Sequence, residues 1–173
     1  MFLRAAILLI LVSSATQLRE PDVNFVGTPP EVVDAMLAGV GVKNTDVVYD
    51  LGSGDGRIVI AAAQKYGARG VGVEIDPQRI KEAEENARKA GVSDRVHFIN
   101  ADLFDADIHE ATVVTLYLLE DLNVRLRPKL LRELKPGTRI VSHRFRMGDW
   151  QPEKSLNVGN RAVYFWTVPQ RRE

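Results

Sequence analysis

Apolar positions along this chain change their period many times between residues 28 and 168, and each change marks an element. Val32, Val33, Met36 and Leu37 recur at helical spacing behind Thr28-Pro29-Pro30-Glu31, which offers a cap, an early proline and a first-turn acid. This helix ends near Gly39 to Gly41. Val47 to Leu51 is a short apolar run of strand type, followed by the glycine-rich Gly52 to Gly56 and a helical stretch from Arg57 to Lys65. The alternation then repeats. Gly70 to Ile75 predicts a second strand, Pro77 to Ala90 a helix stopped by Gly91, Val96 to Asn100 a third strand and Thr112 to Leu116 a fourth. A helix follows from about Leu122 to Leu134, with a bend expected at Pro128. Arg139 to His143 predicts a fifth strand, and Lys154 to Val158 with Arg161 to Val168 form a hairpin around Gly159-Asn160.

Strand and helix in strict alternation imply an α/β fold: a doubly wound, mostly parallel sheet with helices on both faces, closed by an antiparallel C-terminal hairpin. Ligands in such a sheet sit beyond the carboxyl ends of the strands, where the strand order reverses, so residues that follow strands are the candidates for chemistry.

Composition narrows the classes. The 173 residues carry 23 basic and 23 acidic side chains, 45% are apolar, and cysteine is absent. A chain of this size buries enough surface to fold as one domain without a staple. A thiol nucleophile, a cysteine-held metal and a disulfide framework are excluded. Zero net charge supplies no general attraction to nucleic acid, which is not an expected partner.

Residues 1–18 break the pattern. Arg4 precedes 14 uncharged residues, Ala5 to Leu18, with a continuously apolar centre from Ala5 to Val12 and the small residues Ser13 and Ala15 behind it. Such a stretch is short for crossing ~30 Å of hydrocarbon. It has the form of an export signal or membrane anchor, with residues 19–27 as linker and 28–173 as the folded domain.

Asp50-Leu51-Gly52-Ser53-Gly54-Asp55-Gly56 lies between a strand and a helix, where glycines let the backbone turn and approach a ligand closely. A dinucleotide fingerprint needs a third small residue where Arg57 stands. Asp50 and Asp55 would also repel a pyrophosphate. A phosphate-free cation suits the loop better. S-adenosylmethionine carries an ammonium, a sulfonium and a ribose, and Glu74, 22 residues beyond Gly52, is placed to accept from the ribose hydroxyls. Asp102, after the third strand, is the candidate for the adenine amino group.

Residues 45 to 143 resemble the class I, seven-strand methyltransferases that use S-adenosylmethionine, through Asp50 to Gly56 and Glu74. A narrower likeness covers residues 25 to 152. Thr28-Pro29-Pro30-Glu31-Val32-Val33, the run Asp50 to Ala63, Arg144-Phe145 and Asp149-Trp150-Gln151-Pro152 resemble a group of small protein-lysine methyltransferases, whose mitochondrial members modify the ATP synthase c-subunit and the adenine nucleotide translocase. The resemblance implies methyl transfer to a lysine amine of a membrane-associated protein, with S-adenosyl-L-homocysteine as the second product. It also places the Thr28 turn against the cofactor, so the expected cofactor residues are Thr28, Asp50, Gly52, Ser53, Gly54, Asp55, Gly56, Glu74 and Asp102.

On the acceptor side, enzymes that methylate base or amide nitrogens carry Asn/Asp-Pro-Pro-Tyr/Phe after the fourth strand, whereas this chain has Tyr117-Leu118-Leu119-Glu120. An aliphatic amine is favoured instead. In-line displacement needs the amine ~3 Å from the methyl carbon and collinear with the sulfur, which is mainly a matter of orientation. Desolvation helps the amine lose its proton. Tyr117, Glu120 and His143 are the candidate catalytic residues, with Phe25 near the mouth; an aromatic face suits a cationic product.

Eight basic residues and one acid fall between Arg125 and Arg146, a solvated face or a contact for anionic lipid headgroups. Export of the domain would separate it from cytosolic cofactor, so association with the cytosolic side of a membrane is the expected location, and export after cleavage the alternative. Three functions remain open: a protein-lysine methyltransferase, a methyltransferase for small-molecule or lipid amines, and a binding module that keeps the fold without catalysis.

Overall fold

The computed structural model describes residues 18–20 and 25–170; the apolar stretch of residues 1–17 lies outside the described residues. Eleven elements follow in the expected order: α1 (Pro30–Val40), β1 (Val47–Leu51), α2 (Arg57–Tyr66), β2 (Arg69–Glu74), α3 (Pro77–Lys89), β3 (Val96–Asn100), β4 (Val113–Leu116), α4 (Glu120–Glu133), β5 (Arg139–His143), β6 (Lys154–Val158) and β7 (Arg161–Thr167). The seven strands form one sheet in the order β3-β2-β1-β4-β5-β7-β6. Strands β1 to β5 are parallel and β7 and β6 are antiparallel, so the doubly wound sheet with a closing hairpin is found as expected.

Two apolar layers hold the helices against the sheet. On one face Val32, Met36 and Leu37 of α1, Ile58 and Val59 of α2, and Ala83 and Ala87 of α3 pack on Val48, Val113 and Val141. On the other, Leu122, Leu126 and Leu130 of α4 pack on Leu51, Leu116, Ile140 and Trp166. These leucines recur at the 3.6-residue period, which gives α4 one apolar stripe.

One local expectation changes. Thr28 does not cap α1: Pro29 holds that position without a side-chain bond, and its carbonyl accepts from Val32 and Val33. The Thr28 hydroxyl is instead buried in tertiary contact, which removes it from the helix terminus. Pro128, where a bend is expected, lies inside α4, which runs as one helix from Glu120 to Glu133. The carbonyl that loses its partner belongs to Val124, which is exposed.

Among the described residues no helix is long and apolar enough to cross a membrane.

Candidate active site

The order of strands reverses between β1 and β4, and a cavity opens beyond their carboxyl ends. Thr28, Asp50, Gly52, Ser53, Asp55, Glu74, Asp102 and Tyr117 all face it, as does Phe25. Gly54 and Gly56 do not line it directly, and neither do Glu120 and His143.

The glycine loop takes its shape from alternate left-handed residues, with φ of 86° at Gly52, 52° at Gly54 and 80° at Gly56. Other residue types are strained there. The N–H groups of Gly52 and Ser53 both donate to the Val73 carbonyl, tying the loop to β2. A Cβ at Gly56 would meet the Phe98 ring at 2.6 Å, so this glycine serves the close packing of α2 on β3. Ser53 Oγ turns toward β2, buried and without a partner among the described residues.

Four carboxylates surround the loop in different states. Asp50 is 3% exposed and accepts a 2.7 Å bond from the Thr115 hydroxyl on the neighbouring strand. Burial, together with Glu74 and Asp55, pushes its carboxyl up to about 7. Glu74 ends β2 and accepts from three backbone N–H groups, Gly54 at 2.8 Å, Ile75 at 2.9 Å and Asp76 at 3.0 Å. An ionised carboxylate has about four acceptor sites, so it keeps capacity toward the cavity. Asp102 accepts from the Phe104 N–H at 3.0 Å and from Arg19 Nε at 2.5 Å. Burial opposes its ionisation, but Arg19, the Phe104 N–H and Arg125 outweigh that and hold it below the ordinary carboxylate range.

Asp55 is engaged with protein. It receives the Arg57 guanidinium fork, at 2.9 Å from Nε and 2.6 Å from Nη2, while Arg57 Nη1 donates to the Thr28 carbonyl at 3.0 Å. Arg57 thus clamps the Thr-Pro turn onto the glycine loop. A side chain at Gly27 would stand 2.3 Å from that guanidinium carbon. The Phe25 ring packs against Gly54, with Arg79 4.4 Å from its ring centroid. Sequence reasoning missed Arg57, whose signal was its place at the start of α2 two residues after an acid.

The acceptor side is built from β4 and β5. Tyr117 is half-buried at the cavity wall, its ring centroid 4.0 Å from that of His143 and 6.3 Å from Phe145. His143 is itself 2% exposed, with Nδ1 at 3.3 Å from the Thr28 hydroxyl and Nε2 without a partner among the described residues. Burial first, then Arg161 and Arg144, lower its pKa to about 4. It therefore stays neutral and stands behind Tyr117 instead of at the cavity. Glu120 is an exposed acid in the first turn of α4, which complements the helix dipole. Buried Asn123 joins the two loops, donating from Nδ2 to the Arg146 carbonyl at 3.1 Å and the Leu118 carbonyl at 3.4 Å. A polar residue on the leucine stripe of α4 was the available signal for it.

The basic run does not present eight free charges. Arg127 pairs with Asp149, Lys129 and Arg132 with Glu133, and Arg139 with Asp46.

The donor chemistry of the cavity fits S-adenosylmethionine. Acids stand at three strand ends for its cations and hydroxyls, and Val73, Ile75, Leu103, Leu118 and Leu122 supply apolar wall.

Comparison with known proteins decides the family. The ANTKMT methyltransferase domain matches residues 50–154. The chain belongs to this family. A protein-lysine N-methyltransferase of Saccharolobus islandicus is 45% identical over 157 residues, covering 88% of this chain and 98% of that protein. The adenine nucleotide translocase lysine N-methyltransferase of Mus musculus is 34% identical over 146 residues, covering 84% of this chain and 63% of that protein. The chain therefore spans somewhat less than two thirds of this mouse relative. The crystal structure of an RNA methyltransferase from Salinibacter ruber, in complex with S-adenosyl-L-homocysteine, has a TM-score of 0.84 and 57% identity, covering 86% of this chain and 97% of that one. As a member of the ANTKMT methyltransferase family with the class I fold, the chain is a methyltransferase dependent on S-adenosylmethionine.

Proposed function

We propose that this chain transfers methyl groups to a lysine side-chain amine of a protein substrate. The observation that carries this reading is the single cavity where the acids of β1, β2 and β3 meet the Tyr117 wall beyond β4. The relatives named as lysine methyltransferases support it.

When bound, S-adenosylmethionine supplies an electrophilic methyl on a cationic sulfur. Asp50, once ionised, holds the ammonium of its amino-acid tail, and Glu74 takes the ribose hydroxyls. Asp102 receives the adenine amino group after exchanging Arg19. Gly52, Ser53 and Gly54 bring backbone to the cofactor, Gly56 sets the following helix, and Asp55 and Thr28 act through the Arg57 clamp. Tyr117 offers the acceptor amine an aromatic face, which favours its cationic product. His143 positions Tyr117. The apolar wall excludes water and lowers the acceptor amine pKa, so the neutral nucleophile forms without a strong base.

In this reading residues 28–173 are the catalytic domain, and residues 1–18 keep it on the cytosolic side of a membrane, near a membrane-associated substrate. Membrane contact is assigned to that segment because ion pairs consume half of the basic run. Intact-mass measurement of membrane and soluble proteins after incubation with cofactor tests the methylation reading: added increments of one methyl group support it.

A second reading, methylation of RNA, is favoured by the 57% identical relative named as an RNA methyltransferase. Total RNA as acceptor in the same assay separates the two.

A further inference from the structure

Acids outnumber bases along the cavity, whose lining holds Asp50, Asp55, Glu74, Asp76 and Asp102 against Arg19, Arg57 and Arg79. Outside it, Arg144 and Arg146 are exposed on the loop after β5, and Arg125 is exposed on α4 beside the first-turn acids Glu120 and Asp121. Unlike their paired neighbours in the same segment, these three form no ion pair among the described residues, although Arg125 is near enough to Asp102 to favour its ionisation. Each lies over a ring: Arg125 is 4.7 Å from the Phe104 centroid, Arg144 5.8 Å from Phe145 and Arg146 5.1 Å from Tyr164. Arg144 is the one non-glycine residue with positive φ among those described, at 71°, immediately after buried His143. Strain of this kind persists where the surroundings enforce it, and it clusters at functional sites. Asn123 ties the Arg146 carbonyl to the first turns of α4, next to exposed Val124 and Arg125. Leu119, 45% exposed, adds a second apolar side chain. Tyr117 links rim to cavity, since it lines the cavity and stacks on Phe145.

We propose that this rim docks an acidic segment of the protein substrate, with carboxylates flanking the acceptor lysine. The proposal rests on the lysine-methylation reading above. A guanidinium laid on an aromatic face is preorganised, and its fork matches a carboxylate bidentately. Exposed Leu119 and Val124 at the start of α4 suit apolar residues of a peptide. Nucleic acid is the poorer match, because all three rings already carry a guanidinium and leave little free face for a base.

The test uses the full chain, S-adenosylmethionine and synthetic peptides with one central lysine flanked by acidic, neutral or basic residues. Acidic flanks raise kcat/KM at least tenfold over neutral ones, and 0.5 M salt removes most of that gain, as Debye screening requires. The R144E/R146E variant reverses the order of acidic and basic peptides; circular dichroism and cofactor affinity check its fold. Equal turnover of acidic and neutral peptides, or a preference that survives R144E/R146E, overturns the docking surface but leaves lysine methylation standing. Methylation of total RNA with no peptide methylated overturns both. Binding to phosphatidylserine-containing vesicles that R144E/R146E abolishes, without any peptide preference, assigns the rim to lipid and also overturns the proposal.

Discussion

His143 Nδ1 lies 3.3 Å from the Thr28 hydroxyl, and this buried contact joins the end of β5 to the turn before α1, 115 residues apart. It places a neutral imidazole behind Tyr117 and makes the turn part of the site wall. The folded His143 pKa, about 4, is below the ordinary histidine value of 6.5, so the neutral form is favoured by folding. Its contribution to stability is full above pH 6.5 and is lost as pH falls toward 4. Urea unfolding from pH 7.5 to 4.5 is expected to show this loss, and His143→Phe to flatten that part of the profile. An unchanged slope in the variant would place the titration elsewhere.

Asp50 has the opposite sign. Burial pushes its folded carboxyl up to about 7 against the ordinary aspartate value of 3.8, so folding loses stability as pH rises between them. A bound ammonium favours the ionised form. Cofactor affinity is therefore expected to weaken by up to tenfold for each pH unit below about 7. Calorimetric titration of S-adenosyl-L-homocysteine across pH 5.5 to 8.5 measures it. Asp50→Asn should bind about 10–100-fold more weakly, with the pH dependence gone.

Glu74→Gln tests the ribose contact separately. The substitution puts an NH2 against backbone N–H donors that now meet carboxylate oxygen. The expected result is cofactor affinity reduced about 10–100-fold, from loss of charge-assisted bonds worth roughly 1.5–3 kcal/mol. Thermal stability should fall too, since Glu74 also anchors the glycine loop.

Arg57→Lys checks the clamp. Lysine keeps the charge but cannot span both Asp55 oxygens and the Thr28 carbonyl. Cofactor affinity should drop severalfold with a lowered Tm, and Arg57→Lys should rescue little of the Arg57→Ala loss. Full rescue by lysine would reduce the clamp to simple charge.

The sheet and most element limits were legible because the periods alternate cleanly and glycines or prolines punctuate them. The acids at strand ends were legible for the same reason: a parallel doubly wound sheet dictates where Asp50, Glu74 and Asp102 stand. What each acid bonds to was not. Asp55 reads as a ligand group beside the glycines, yet Arg57, two residues on, captures it, and only the fold shows that the same guanidinium reaches Thr28. His143 follows a strand as a catalytic group would, but the turn at Thr28 and the Tyr117 ring bury it. The paired charges from Arg127 to Arg139 depend on Asp46, Glu133 and Asp149, of which Asp46 is remote in sequence. Contacts of that range leave no local pattern.

The most direct measurement is the chemical identity of the methylated group. The purified chain is incubated with tritiated S-adenosylmethionine and a whole-cell lysate, and the labelled protein and RNA fractions are hydrolysed separately. The account predicts radioactivity that co-elutes with methyllysine, reduced by Asp50→Asn. Label recovered in methylated nucleosides, with none in methyllysine, would contradict it.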